Sequence, residues 1–188
     1  MSTRSIIVVT GKKKTIRIYK HCDGYPTSNL PIIADAVAQP DAYATKGAVS
    51  KIEKKLGIKV DTVKSLAFAI CKEAEFKPEN AIEDEFEGAL KPEHLGGQQD
   101  LEWIYVVDVD AKTVNVYGGG YTGCAPQTAY KQGVVDPLSY ANKMREEYQE
   151  RERKDIQKAM DAVEATGFKL NPKGGKAPRK NKRAELTK

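Results

Sequence analysis

The side chains best equipped for chemistry lie in one short run, Tyr19-Lys20-His21-Cys22-Asp23-Gly24-Tyr25-Pro26. His21 is one of only two histidines, and Asp23 follows it by two positions. On an extended backbone such residues share a face, so Tyr19, His21 and Asp23 can be presented together. An imidazole held by a carboxylate can act as a general acid or base, or bind a metal. In that reading the chain is a small hydrolase of a nucleotide or phosphodiester. His21 is then the acid or base, Asp23 orients it, and Tyr19 or Lys20 assists. Two other readings compete. Asp23-Gly24 and Pro26 are turn residues, so the run can simply end a strand. The ring-rich polar surface of Tyr19, His21, Asp23 and Tyr25 also suits binding without catalysis.

Two further segments carry weaker signals. Gly118, Gly119, Gly120, Tyr121, Thr122 and Gly123 make a glycine-rich exit from a strand. Such a loop can aim N–H groups at a phosphate, but the Lys-Ser or Lys-Thr of a phosphate loop is missing, and Cys124-Ala125-Pro126 follows instead. Asp108 and Asp110, with Asp100 and Glu102 nearby, can share a cation in principle. The glycine and final Glu of a calcium loop are absent, and a hairpin turn with solvated acids is the better reading. His94 reads as a lone surface histidine. The three cysteines are odd in number and far apart, with no CxxC pair, so they predict reduced thiols and neither a zinc site nor a redox motif. No metal and no cofactor is expected.

The run Tyr19 to Pro26 after a β-hairpin, with Glu102-Trp103-Ile104-Tyr105-Val106-Val107-Asp108 later, resembles a family of small bacteriophage and bacterial proteins that share a Tyr-x-His-x-Asp-Gly-Tyr-Pro hairpin motif. The resemblance covers the two hairpins. Members often carry Trp at the position of Cys22. It implies a viral accessory protein and transfers no activity.

The elements that must position these residues follow from pattern. Residues 6 to 9 and 15 to 22 predict a β-hairpin, with Gly11 and Lys12, Lys13 and Lys14 at the turn. Ser28 or Asn29 is expected to cap a short helix, with Pro31 in its first turn, a stripe of Ile32, Ile33, Ala36 and Val37, and Pro40 as its stop. A second helix is expected over 46 to 56, stopped at Gly57. A third, capped by Asp61, turns Val63, Leu66, Ala67, Ile70 and Cys71 inward. Residues 77 to 100 read as a loop with at most one helical turn between Ile82 and Leu90. Residues 101 to 109 and 113 to 117 predict a second hairpin whose first strand is apolar on both faces, hence central. Asp136 and Pro137 open the longest helix, which runs to Thr166-Gly167. Leu138, Ala141, Met144, Tyr148, Ile156, Ala159, Met160 and Val163 form its apolar stripe, and its charged middle, 150 to 155, is expected to project into solvent.

With 188 residues, 40% apolar and 30% charged, the chain has the size and composition of one ordinary globular domain with an appendage. Only four consecutive apolar residues occur near the start, too few for a signal peptide or a membrane span, so no membrane is expected and the cytoplasm is the default (host cytoplasm if viral). The net charge of +5 is unevenly spread. Residues 169 to 188 carry eight basic side chains against Glu185, a local +7 that leaves −2 for the first 168.

The fold expected is α+β: a small antiparallel sheet from two hairpins, three to four helices packed on one face, and a long C-terminal helix. Residues 1 to 167 form the domain and 168 to 188 a basic tail, expected to be disordered because it has almost nothing to bury. The leading function is a non-enzymatic, phage-type accessory protein. It would contact nucleic acid or a host macromolecule through Tyr19, His21, Asp23 and Tyr25 and through Lys173, Lys176, Arg179, Lys180, Lys182 and Arg183. The alternatives are the hydrolase above and an oligomeric assembly protein that uses the charged helix as an arm.

Overall fold

The structure, a computed structural model, describes residues 3–12, 15–39, 62–74, 81–83, 101–118 and 126–171, with 81–83 and 126–128 described by backbone alone. The fold is α+β. In chain order the strands are β1 (Ser5–Thr10), β2 (Thr15–Lys20), β3 (Ala81–Glu83), β4 (Trp103–Asp108), β5 (Thr113–Gly118) and β6 (Lys169–Leu170). The helices are α1 (Pro26–Ala38), α2 (Thr62–Glu73), α3 (Pro126–Gln132), a 3₁₀ helix η1 (Pro137–Lys143) and α4 (Glu146–Ala165).

Both expected hairpins form, and the six strands of the described residues lie in one sheet in the order β3-β2-β1-β4-β5-β6. The sheet is mixed, not purely antiparallel. β1 and β4 run parallel down its centre, from Ser5 opposite Trp103 to Thr10 opposite Asp108. The reason lies in their composition. Ile6, Ile7, Val8 and Val9 are buried on both sides of β1, as are Ile104, Tyr105, Val106 and Val107 on β4. Two strands with no polar face belong in the middle, and the hairpins meet through them. A parallel seam needs a long crossover, and α1 and α2 lie within it.

One face of the sheet carries Ile7, Val9, Ile16, Ile18, Tyr105, Val107, Val114 and Val116, packed under α1, α2 and α4. The other carries Ile6, Val8, Ile104, Val106 and Tyr117, with Ala129 and Tyr130 of α3 against it. Helices therefore occupy both faces, the three larger ones on a single side. The inward residues expected of the third helix are all buried in α2, Cys71 among them.

Several boundaries differ from expectation. α1 begins at Pro26, not after Ser28 or Asn29. Proline fits the first helical position, and the Ser28 and Asn29 side chains are engaged elsewhere. Pro31 thus lies inside the helix, on its exposed side. Ala81–Glu83, read as loop and helical turn, is a strand that pairs with β2 and satisfies its outer edge. The expected long helix is broken. Asp136 does cap, its carboxylate accepting from the Leu138 N–H at 3.0 Å, but what it caps is η1. Leu138, Ala141 and Met144 recur every three residues, the period of a 3₁₀ turn, and Met144 and Arg145 are extended before α4 starts. The charged opening of α4 does face solvent, with Lys154–Glu150 and Arg151–Asp155 pairs one turn apart.

The tail boundary also moves. Phe168 is buried, and Lys169–Leu170 pair parallel with β5. Asn171 completes that edge. Its Oδ1 accepts from the Val116 N–H at 2.7 Å, and its Nδ2 donates to the Val135 carbonyl at 2.7 Å. The helix expected over 46 to 56, its neighbour's cap Asp61, the glycine loop beyond Gly118, His94 and residues 172 to 188 lie outside the described residues.

Two substitutions test this edge and the second face. Asn171→Ala strands a buried N–H and a carbonyl, so denaturant unfolding should show a loss of about 1–3 kcal/mol. The Tyr117 hydroxyl is buried with no hydrogen-bond partner. Tyr117→Phe should therefore leave stability unchanged or raise it by up to about 1 kcal/mol.

Candidate functional site

Pairing places one set of strand termini together. Lys20 ends β2 opposite Ser5, Ser5 lies opposite Trp103, and Trp103 lies opposite Gly118. The run from His21 to Tyr25 leaves the sheet at this end. At the other end the hairpin acids serve the backbone: Asp108 accepts from the N–H groups of Asp110 and Ala111, and Asp110 accepts from that of Lys12. The turn reading of Asp108 and Asp110 holds.

The exit loop is fastened through Gly24, which is buried. Its N–H donates to the Thr3 carbonyl at 2.8 Å. Its carbonyl accepts from Asn29 Nδ2 at 3.0 Å and from the Tyr105 hydroxyl at 2.9 Å. Asn29 also donates to Ser5 Oγ at 2.9 Å and accepts from Lys20 Nζ at 3.2 Å, and Lys20 donates to Ser28 Oγ at 2.7 Å. A Cβ on Gly24 would sit 2.7 Å from the Ser5 side chain and the Thr3 carbonyl, so only glycine allows this approach. Asp23, just before it, has φ 54, a left-handed conformation that aspartate tolerates.

Above this layer the chemically capable side chains face out. His21, Cys22 and Asp23 are exposed, and Tyr19 and Tyr25 are half-buried. They form two pairs. Tyr19 OH and His21 Nδ1 share a hydrogen bond of 3.0 Å, and Tyr25 OH donates to Asp23 Oδ1 at 3.0 Å. The histidine and the acid are thus each coupled to a tyrosine, and no hydrogen bond joins them to each other. The carboxylate that the hydrolase reading assigns to orient His21 accepts instead from Tyr25.

Three groups that sequence reasoning did not select pack beside Tyr25, the Trp103 ring among them buried. Tyr140 of η1 stacks on Tyr25 with ring centres 5.4 Å apart and planes 5° from parallel. Trp103 sets its ring edge-on to Tyr140 at 6.0 Å, and Lys143 Nζ lies 5.9 Å over the Trp103 ring. The parallel pairing of β4 with β1 sets Trp103 opposite Ser5, at the end where the loop to Tyr25 leaves the sheet, and that pairing has no local signal in the sequence.

Burial sets the protonation behaviour here. Burial pushes the Lys20 ammonium below its usual range, against the opposing pull of Asp23. Burial, then the Asp23 hydrogen bond and charge, then the Glu152 charge push the Tyr25 phenol up. Tyr105 is driven far up, chiefly by complete burial. Among the described residues, no group of three or more His, Cys, Asp or Glu is placed to hold a metal, and no helix is long and apolar enough to cross a membrane. The candidate lysines and arginines of the tail lie outside the described residues.

No family model, curated protein or solved structure matches this chain.

The buried phenol makes a pH prediction. In the unfolded chain Tyr105 titrates at about pH 10. In the fold its pKa is higher. Its contribution is therefore complete below about pH 10 and is lost as pH rises above that value toward the folded pKa. Stability measured against pH should fall above about pH 10, and Tyr105→Phe should flatten that fall.

Proposed function

We propose that this chain is a non-enzymatic binding protein that engages single-stranded nucleic acid. The basic C-terminal segment neutralises phosphates, and the Tyr19–Tyr25 surface offers rings to the bases. The reading rests on one observation above all: β6 runs parallel to β5, toward the sheet end that carries the exposed pairs. The described chain ends at Asn171 heading that way, and the sequence beyond it carries Lys173, Lys176, Arg179, Lys180, Lys182 and Arg183. Charged segments of this kind bind any sequence by releasing counterions. Aromatic rings add stacking that is tolerant of base identity. An accessory role, of the sort implied by the hairpin-motif resemblance, is compatible with such binding.

Anisotropy of a labelled single-stranded oligonucleotide tests it. Affinity should fall as salt rises, with a log–log slope of about −0.7 per phosphate neutralised. Changing the six basic residues named above to Gln should weaken binding and flatten that slope. Tyr19→Ala and Tyr25→Ala should each weaken it by about 1–3 kcal/mol at unchanged slope. Absence of oligonucleotide binding at low salt rejects the reading and turns attention to a host protein.

A further inference from the structure

The corner between Tyr25 and α4 gathers two carboxylates. Glu152 lies close enough to Tyr25 to act on its phenol, and its Oε2 is sealed from solvent with no hydrogen-bond partner. A buried carboxylate oxygen without a donor is costly. Asp23 adds a second, exposed carboxylate beside the same tyrosine, to which it gives only one oxygen. The stacked faces of Tyr25 and Tyr140 complete the corner. Carboxylates beside aromatic faces suit an ammonium or guanidinium group. Lys143 already sits over Trp103, at the other end of the same row of rings.

We propose that this corner, formed by Asp23, Tyr25, Tyr140 and Glu152, seats the basic side chains of the chain's own C-terminal segment, residues 173 to 183. The occupant is argued from where the described chain ends. Asn171 is bonded to Val135, and a Cβ added to Gly118 would meet both the Val135 side chain, at 3.3 Å, and the Trp103 ring, at 3.5 Å. The segment thus begins beside the aromatic row. Each residue spans up to about 3.3–3.6 Å, so the segment is long enough to cross to Tyr25. Its charge opposes that of the body, +7 beyond residue 168 against −2 before it. Tethering supplies a high local concentration, so weak individual ion pairs suffice. The docking does not depend on the nucleic-acid reading. Its consequence does: a strand that takes up these basic groups must first displace them from the corner, which makes the body a competitor for its own tail.

Zero-length carbodiimide coupling of the full-length chain, read by peptide mass spectrometry, tests the docking without any ligand. Lysines 173, 176, 180 and 182 should couple to Asp23 and Glu152 roughly tenfold more than to Asp108 or Asp110, as tethering to one corner requires. The products should be intramolecular in a mixture of heavy- and light-isotope protein, and should fade at high salt. Glu152→Gln should reduce the remaining Asp23 coupling several-fold. Equal coupling to the distant acids, coupling only between copies, or no response to Glu152→Gln overturns the proposal. An oligonucleotide that binds should lower the same couplings; one that binds and leaves them intact overturns the competition. If no oligonucleotide binds, the coupling pattern still decides the docking by itself.

Discussion

The carbonyl of Gly24 is the point on which the sheet end depends. It accepts one hydrogen bond from the first turns of α1 through Asn29 and another from the central strand β4 through Tyr105. The N–H of the same residue is held by Thr3, just ahead of β1. Three pieces of chain, ahead of β1, in α1 and in β4, are therefore fixed relative to one residue. Inside a protein such bonds are strong only when every member is satisfied, and this set is closed by Ser5, Ser28 and Lys20. The exposed tyrosine pairs inherit their positions from it. His21 and Asp23 sit on a loop, yet the loop cannot drift from the sheet without breaking buried bonds.

The sheet also divides its two ends by chemistry. Where β4 turns into β5, Asp108 and Asp110 each commit one carboxylate oxygen to backbone N–H groups. At the opposite end the carboxylates of Asp23 and Glu152 keep oxygens that no hydrogen-bond donor occupies. Similar side chains brace the backbone at one end, while at the other Asp23 pairs with a tyrosine and Glu152 Oε2 has no hydrogen-bond partner. Topology makes the difference: chain exits at one end are short hairpins, while at the other they are loops and helix starts.

Much of this was legible in the residues and part was not. The alternation in Thr15–Lys20 and the two-sided apolar run of β4 pointed to the hairpins, one central strand and the α+β class. The outward placement of Tyr19, His21, Asp23 and Tyr25 at a strand end followed from the same pattern. Partnerships did not follow. Spacing of two suggested His21 with Asp23, but the backbone turns left-handed at Asp23 and sends its carboxylate to Tyr25. The parallel seam was hidden because pairing between strands so far apart in sequence leaves no local trace, and with it went Trp103 and Tyr140. The break after η1 was missed because a spacing of three fits both helix types over two turns. β6 escaped notice because a two-residue strand has no period.

The parallel seam bears on how the protein comes to be folded at all. β1 is made early, and its partner on one side is available at once in β2. Its partner on the other side is β4, and everything from residue 11 to residue 102 intervenes. During synthesis, then, a strand of isoleucine and valine waits with one long edge unsealed while the rest is translated. Chain closure over that span is slow by comparison with hairpin formation. The nascent protein is at its most adhesive in that interval, and a chaperone that shields an apolar strand edge would act on it then.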